Sequence, residues 1–197
     1  MTLTKKLLLA CLCFTGMGLL HSCKQPEKKE KWSNNDMYDI SNPTIINLPA
    51  ELDEISGIAY YEKDTSVFAI IDEDGFLYKI PIMRPNDIKK WRFDKQRDYE
   101  DLILKDSQFF VLVSNGNVEK LRFAGDLIEI EKYKFNDASK KANEFETLYL
   151  DTDSNKIVIV CKQCEEDKKK VVSSFVLDET QVNDTAKPFR PYKQIDV

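Results

Sequence analysis

Asp53-Glu54-Ile55-Ser56-Gly57-Ile58-Ala59, Tyr99-Glu100-Asp101-Leu102-Ile103-Leu104 and Phe145-Glu146-Thr147-Leu148-Tyr149-Leu150 align on one another at a step of 46 residues, with glutamates at 54, 100 and 146. Each stretch leads into β-branched and aromatic runs broken by short turns. After the first come Ser66 to Ile71, the turn Asp72-Glu73-Asp74-Gly75, and Phe76 to Ile80. After the second come Phe109 to Val113, the turn Ser114-Asn115-Gly116, and Val118 to Phe123. After the third come Lys156 to Val160, a charged turn from Cys161 to Lys170, and Val171 to Leu177. Glycine in the first two turns suits the positive φ that tight hairpins need.

Lys89 to Phe93 and Leu127 to Tyr133 supply a fourth, outer strand for the first two repeats. The second alternates apolar and charged residues, as a half-exposed edge strand does. Four short strands in roughly 45 residues is the unit of a β-propeller blade. The expected class is all-β, a propeller-like array of about three four-stranded blades. Repeats fall near residues 46–95, 96–140 and 141–187, and residues 188–197 read as the start of a fourth blade. The step of 46 would place a fourth glutamate at 192, which is Tyr192. Closed propellers need about four to eight blades. The expectation is therefore an incomplete propeller, a fragment of a longer protein, with self-association or a small open sheet assembly as the rivals.

The N-terminus has the pattern of a targeting segment. Lys5 and Lys6 precede the apolar run Leu7 to Leu20, which is too short for a stable membrane span. Leu20-His21-Ser22-Cys23 resembles a bacterial lipobox, in which cleavage makes the acylated cysteine the first residue. Residues 1–22 are thus expected to be a lipoprotein signal peptide, with lipid on Cys23. Residues 23–43, polar and charged, are expected to tether a domain spanning 44–197 to a membrane. The localisation this implies is the bacterial envelope, at the outer membrane.

Cleavage also narrows the chemistry. The whole chain carries 29 basic and 34 acidic residues. Loss of Lys5 and Lys6 takes the net charge from −5 to −7, which argues against nucleic acid as a partner. The single histidine, His21, leaves as well, and with it every Ser-His or Cys-His mechanism. Cys161-Lys162-Gln163-Cys164 follows a strand rather than opening a helix, and no second pair exists to complete a structural zinc. The pair stands either as two plain thiols or as a disulfide formed across a hairpin outside the cytoplasm.

The glutamates point to a hard cation or a polar ligand. Each precedes the first strand of its repeat, and carboxylates converging on one channel repel unless a cation or protons neutralise them. Calcium takes six to eight oxygens in loose geometry and suits Glu54, Glu100 and Glu146. Flanking Asp53 and Asp101 would add ligands or cap loops. The alternative is structural: glutamates at blade corners, accepting hydrogen bonds from backbone amides of the next blade.

Leu52 to Ala59 with Asp72 to Gly75, Asp98 to Leu102 with Ser114 to Gly116, and Asn143 to Leu148 with Val160 to Lys162 together resemble the SdiA-regulated family of bacterial envelope proteins. That family's last motif commonly reads Glu-Gly, where this chain has Glu146-Thr147. The resemblance implies a β-propeller built like the calcium-dependent lactonase and phytase-like propellers. It implies Glu54, Glu100 and Glu146 as direct calcium ligands or polar contacts, with Asp72, Ser114 and Lys162 as further channel residues. Two functions follow. One is a membrane-anchored module that holds calcium or a small polar ligand without turnover. The other is a calcium-dependent hydrolase of an ester, lactone or phosphoester, with the ion polarising the substrate and a carboxylate as base. The sequence leaves open whether the protein is an enzyme.

Overall fold

Among the described residues, twelve strands account for nearly all of the regular structure, and hydrogen bonding sorts them into three antiparallel sheets of four. The computed structural model describes residue 39 and residues 42–135, 143–167, 170–181 and 187–196. The signal peptide, Cys23 and most of the tether lie outside the described residues. The first sheet contains β1 (Ile55–Tyr61), β2 (Ser66–Ile71), β3 (Phe76–Pro81) and β4 (Lys89–Arg92). The second contains β5 (Tyr99–Lys105), β6 (Gln108–Val113), β7 (Val118–Ala124) and β8 (Leu127–Tyr133). The third contains β9 (Glu144–Asp151), β10 (Lys156–Gln163), β11 (Val171–Leu177) and β12 (Phe189–Asp196).

The last strand corrects the sequence reading. Phe189 to Asp196 does not open a fourth blade. It pairs antiparallel with β11, Phe189 opposite Leu177 and Val171 opposite Asp196, and completes the third sheet. Pro191 fits there because an edge strand has a free side on which no N–H is needed. The long connection after Leu177 hid the pairing from a fixed repeat step.

Period-two alternation decides how the sheets stack. In β6 every residue from Phe109 to Val113 is buried. Phe109, Val111 and Val113 face the first sheet, among Phe68, Ile70 and Leu77. Phe110 and Leu112 face the third, among Phe145, Leu148, Ile157 and Ile159. An uninterrupted apolar strand is what a middle layer requires. The sheets meet along their first strands, β1 against β5 and β5 against β9, while the outer strands β4 and β8 touch only lightly.

Asp101 bridges the second sheet to the third. Its Oδ1 accepts the Leu102 N–H and its Oδ2 accepts the Leu148 N–H of the next sheet, each at 2.8 Å. The backbone-binding role considered for the glutamates thus falls to their neighbour. The turn glycines divide. Gly116 has φ +86°, as the hairpin reading expects. Gly75 does not adopt positive φ; its lack of a side chain instead admits the Asp94 carbonyl, against which a Cβ would clash.

Candidate functional site

The first strand of every sheet carries a β-bulge at the same point. Pairing skips Ser56 between Ile55 and Gly57, Glu100 between Tyr99 and Asp101, and Glu146 between Phe145 and Thr147. A bulge leaves its extra residue out of the ladder and re-aims its side chain. The structural equivalents are therefore Ser56, Glu100 and Glu146. Glu54 lies two residues earlier, in phase with Asp98 and Glu144. Backbone bonds agree: the Asp72 N–H donates to the Glu54 carbonyl, and the Ser114 N–H to the Asp98 carbonyl. The Asp72 and Ser114 carbonyls in turn accept the N–H groups of Tyr99 and Phe145 at 2.7 and 2.8 Å. Those bonds tie each turn to the next sheet.

This frame brings four of the six expected residues together. Glu100, Glu146, Ser114 and Lys162 line one open cleft of about 470 Å³, with Asp98, Asn115, Asn143 and Glu144. Asp72 lines a neighbouring cleft of about 430 Å³ with Glu73, Gln96, Arg97 and Asp98, so Asp98 belongs to both. Glu54 lines neither, which corrects the reading of one glutamate per repeat. In the first repeat Ser56 replaces it at the bulge. The Ser56 Oγ and Asp72 Oδ1 atoms are buried without a hydrogen-bond partner.

Asp98 and Glu144 were not singled out from the sequence. The signal was present, since each stands two residues before a bulge glutamate, and alternate strand residues share a side. The equal step of 46 obscured it by aligning Glu54 with Glu100.

The cleft's electrostatics follow from four carboxylates and one ammonium. Burial pushes the half-buried Glu100 carboxyl up to about 7, with the charges of Asp98 and Glu146 adding to the rise and Lys162 opposing it. Lys162 pairs with Glu146, and that hydrogen bond holds the ammonium above its ordinary range. A carboxyl raised in the folded state favours folding below the unfolded value and loses that contribution as pH rises through the folded one. Between about pH 5 and about pH 8, the wild type is therefore expected to lose about 1 kcal/mol relative to Glu100→Gln, after discounting for exposure. Chemical denaturation of both proteins across that range measures it. Parallel pH profiles would refute the assignment.

The donors fit a hard cation in kind, being oxygens of Asp98, Glu100 and Glu146. They are not gathered in advance around one point. Among the described residues, Glu54, Glu100 and Glu146 do not bring their oxygens within 4.8 Å of one another. The group that meets this distance is Cys161, Cys164 and Asp167, and there the cysteines are joined as a disulfide. Asp167 is itself held by the Ser173 N–H at 3.0 Å and the Ser173 hydroxyl at 2.5 Å.

No family model matches the chain, and no curated protein matches it significantly.

Proposed function

We propose that this chain is the binding module of a lipid-anchored bacterial envelope protein. In this reading the three sheets are blades of a propeller, and the cleft around Glu100 and Glu146 takes a calcium ion or a small polar ligand bearing positive charge. Membership of the SdiA-regulated family is part of the proposal, on the motifs quoted above. The anchor through Cys23 is part of it too.

The observation that carries the reading is the convergence of Asp98, Glu100, Ser114, Glu146 and Lys162 on one cleft. The Glu100 carboxyl, whose proton affinity is raised by burial and by the neighbouring charges of Asp98 and Glu146, is poised to exchange its proton for a cation. Asp98 and Glu100 would be the principal holders, and Glu146 would join them by giving up Lys162. The closeness of the sheets along their first strands favours the propeller reading, because blades meet at their inner strands.

Calorimetric titration with calcium chloride tests the proposal. Binding with Kd on the order of 0.1–1 mM is expected, as for loosely built extracellular sites. Glu100→Gln is expected to weaken it about tenfold. An absence of heat and of any calcium-dependent stabilisation would remove calcium. A screen of small amines on the same protein would then decide the polar-ligand form.

A further inference from the structure

We propose that the Cys161–Cys164 disulfide is a redox switch on the cleft: oxidised, it holds Lys162 against Glu146, and reduced, it releases the lysine and leaves the cleft more negative. The functional consequence rests on reading the cleft as a site for a cation or polar ligand.

Lys162 lies inside the ring that the disulfide closes. In the β9–β10 ladder, Cys161 stands opposite Phe145 and Gln163 opposite Glu144, so Lys162 is skipped and bulges out of the sheet. The bulge aims its ammonium at Glu146, across the cleft wall. Both ends of the ring are fixed. Cys161 is buried in the core shared by the second and third sheets, its sulfur 3.3 Å from the Glu144 carbonyl. The Cys164 carbonyl accepts the Asp167 N–H at 3.2 Å, and Asp167 is anchored on Ser173.

The ion pair itself is a weak restraint. The Lys162 and Glu146 side chains are 52% and 45% exposed, and such pairs contribute little on their own. The covalent ring limits the backbone freedom that would otherwise spread Lys162 over more positions.

A dithiol is the reductant that fits. Its thiolate attacks the Cys164 sulfur, which is the more accessible of the two, and forms a mixed disulfide while Cys161 leaves as a thiolate. The second thiol of the reagent then displaces Cys164. Two electrons and two protons pass from the dithiol to the protein, giving two cysteine thiols and an oxidised, disulfide form of the reagent. In the envelope, an exposed dithiol protein would supply the same chemistry.

The test reads the contact directly. A water-soluble carbodiimide joins lysine to carboxylate only where they touch, and peptide mass mapping locates the links. The oxidised protein is expected to give a Lys162–Glu146 link and a Lys90–Glu51 link, the latter from a 2.8 Å pair between β4 and the turn that precedes β1. Dithiothreitol, or the double substitution Cys161→Ser/Cys164→Ser, is expected to cut the first link roughly fivefold and spare the second. An unchanged Lys162–Glu146 link with the disulfide shown open overturns the switch. Loss of both links in the reduced wild type also overturns it, since the disulfide is then a staple of the whole fold. Calcium affinity is expected to rise roughly fivefold on reduction, because one opposing charge leaves the cleft. If the link responds but calcium binds in neither state, the switch stands and the calcium reading fails.

Discussion

Phe145→Ala is expected to cost about 4 kcal/mol of folding stability, the upper range for deleting a buried aromatic ring. Phe145 is fully buried in β9. Phe135, which follows the second sheet, packs edge-on against it with ring centres 4.8 Å apart. Phe135 also meets Phe175 of β11 at 4.9 Å and Phe189 of β12 at 5.4 Å. This cluster joins the second sheet to the third and gives the outer strand β12 an apolar anchor. Removal of the Phe145 ring leaves a void that rigid strands on both sides cannot close, and edge-to-face contacts with Phe135 and Phe175 are lost with the area. Denaturant unfolding measures the loss. Hydrogen exchange adds a local readout: amides of residues 189–196 are expected to lose protection first. A cost under about 1.5 kcal/mol would show that the junction relaxes around the gap.

Gly57→Ala is expected to cost about 3 kcal/mol through overpacking. A Cβ on Gly57 would stand 2.5 Å from the Leu102 nitrogen, 2.8 Å from the Asp101 carbonyl carbon and 2.9 Å from the Asp101 Cα. All three are backbone atoms, so no side chain can swing aside. The added methyl must push β1 away from β5, which opens the core holding Ala59, Phe68, Leu102 and Val111. It also disturbs Asp101, whose carboxylate satisfies the Leu102 and Leu148 amides. The same structural position in the second sheet is Asp101 itself, so one junction closes directly and the other is bridged by a carboxylate. Thermal unfolding of the variant measures the effect. A stability within about 0.5 kcal/mol of the wild type would mean that the sheets are not in close contact there.

Much of this architecture was legible in the chain. The β class followed from short runs such as Phe109 to Val113 and Ile157 to Val160, whose β-branched and aromatic residues suit pleated, buried surfaces. The grouping into fours was readable for the first two sheets, because hairpin turns and alternating outer strands are local signals. The cleft was partly readable as well. Ser114 follows a second strand, Lys162 lies at the end of another, and Glu100 and Glu146 lie at the starts of first strands, so their shared end follows from strand direction.

What failed was non-local. The partner of Phe189 to Asp196 is β11, across a long connection, and nothing within those residues states which edge they join. Glu54 misled because the step from the first bulge residue, Ser56, to Glu100 is two residues shorter than the step from Glu100 to Glu146, and only cross-strand pairing shows which residues correspond. The equal step of 46 also hid Asp98 and Glu144 by aligning Glu54 with Glu100.

The sequence by itself determined the strands, their turns and the acidic character of one end of the sheets, because propensity, alternation and charge are properties of neighbouring residues. The tertiary structure alone decided which carboxylates meet, which one binds backbone amides, and that Lys162 faces Glu146 from inside a disulfide ring. Those outcomes depend on register and sheet packing, which are set by contacts between segments far apart in the chain.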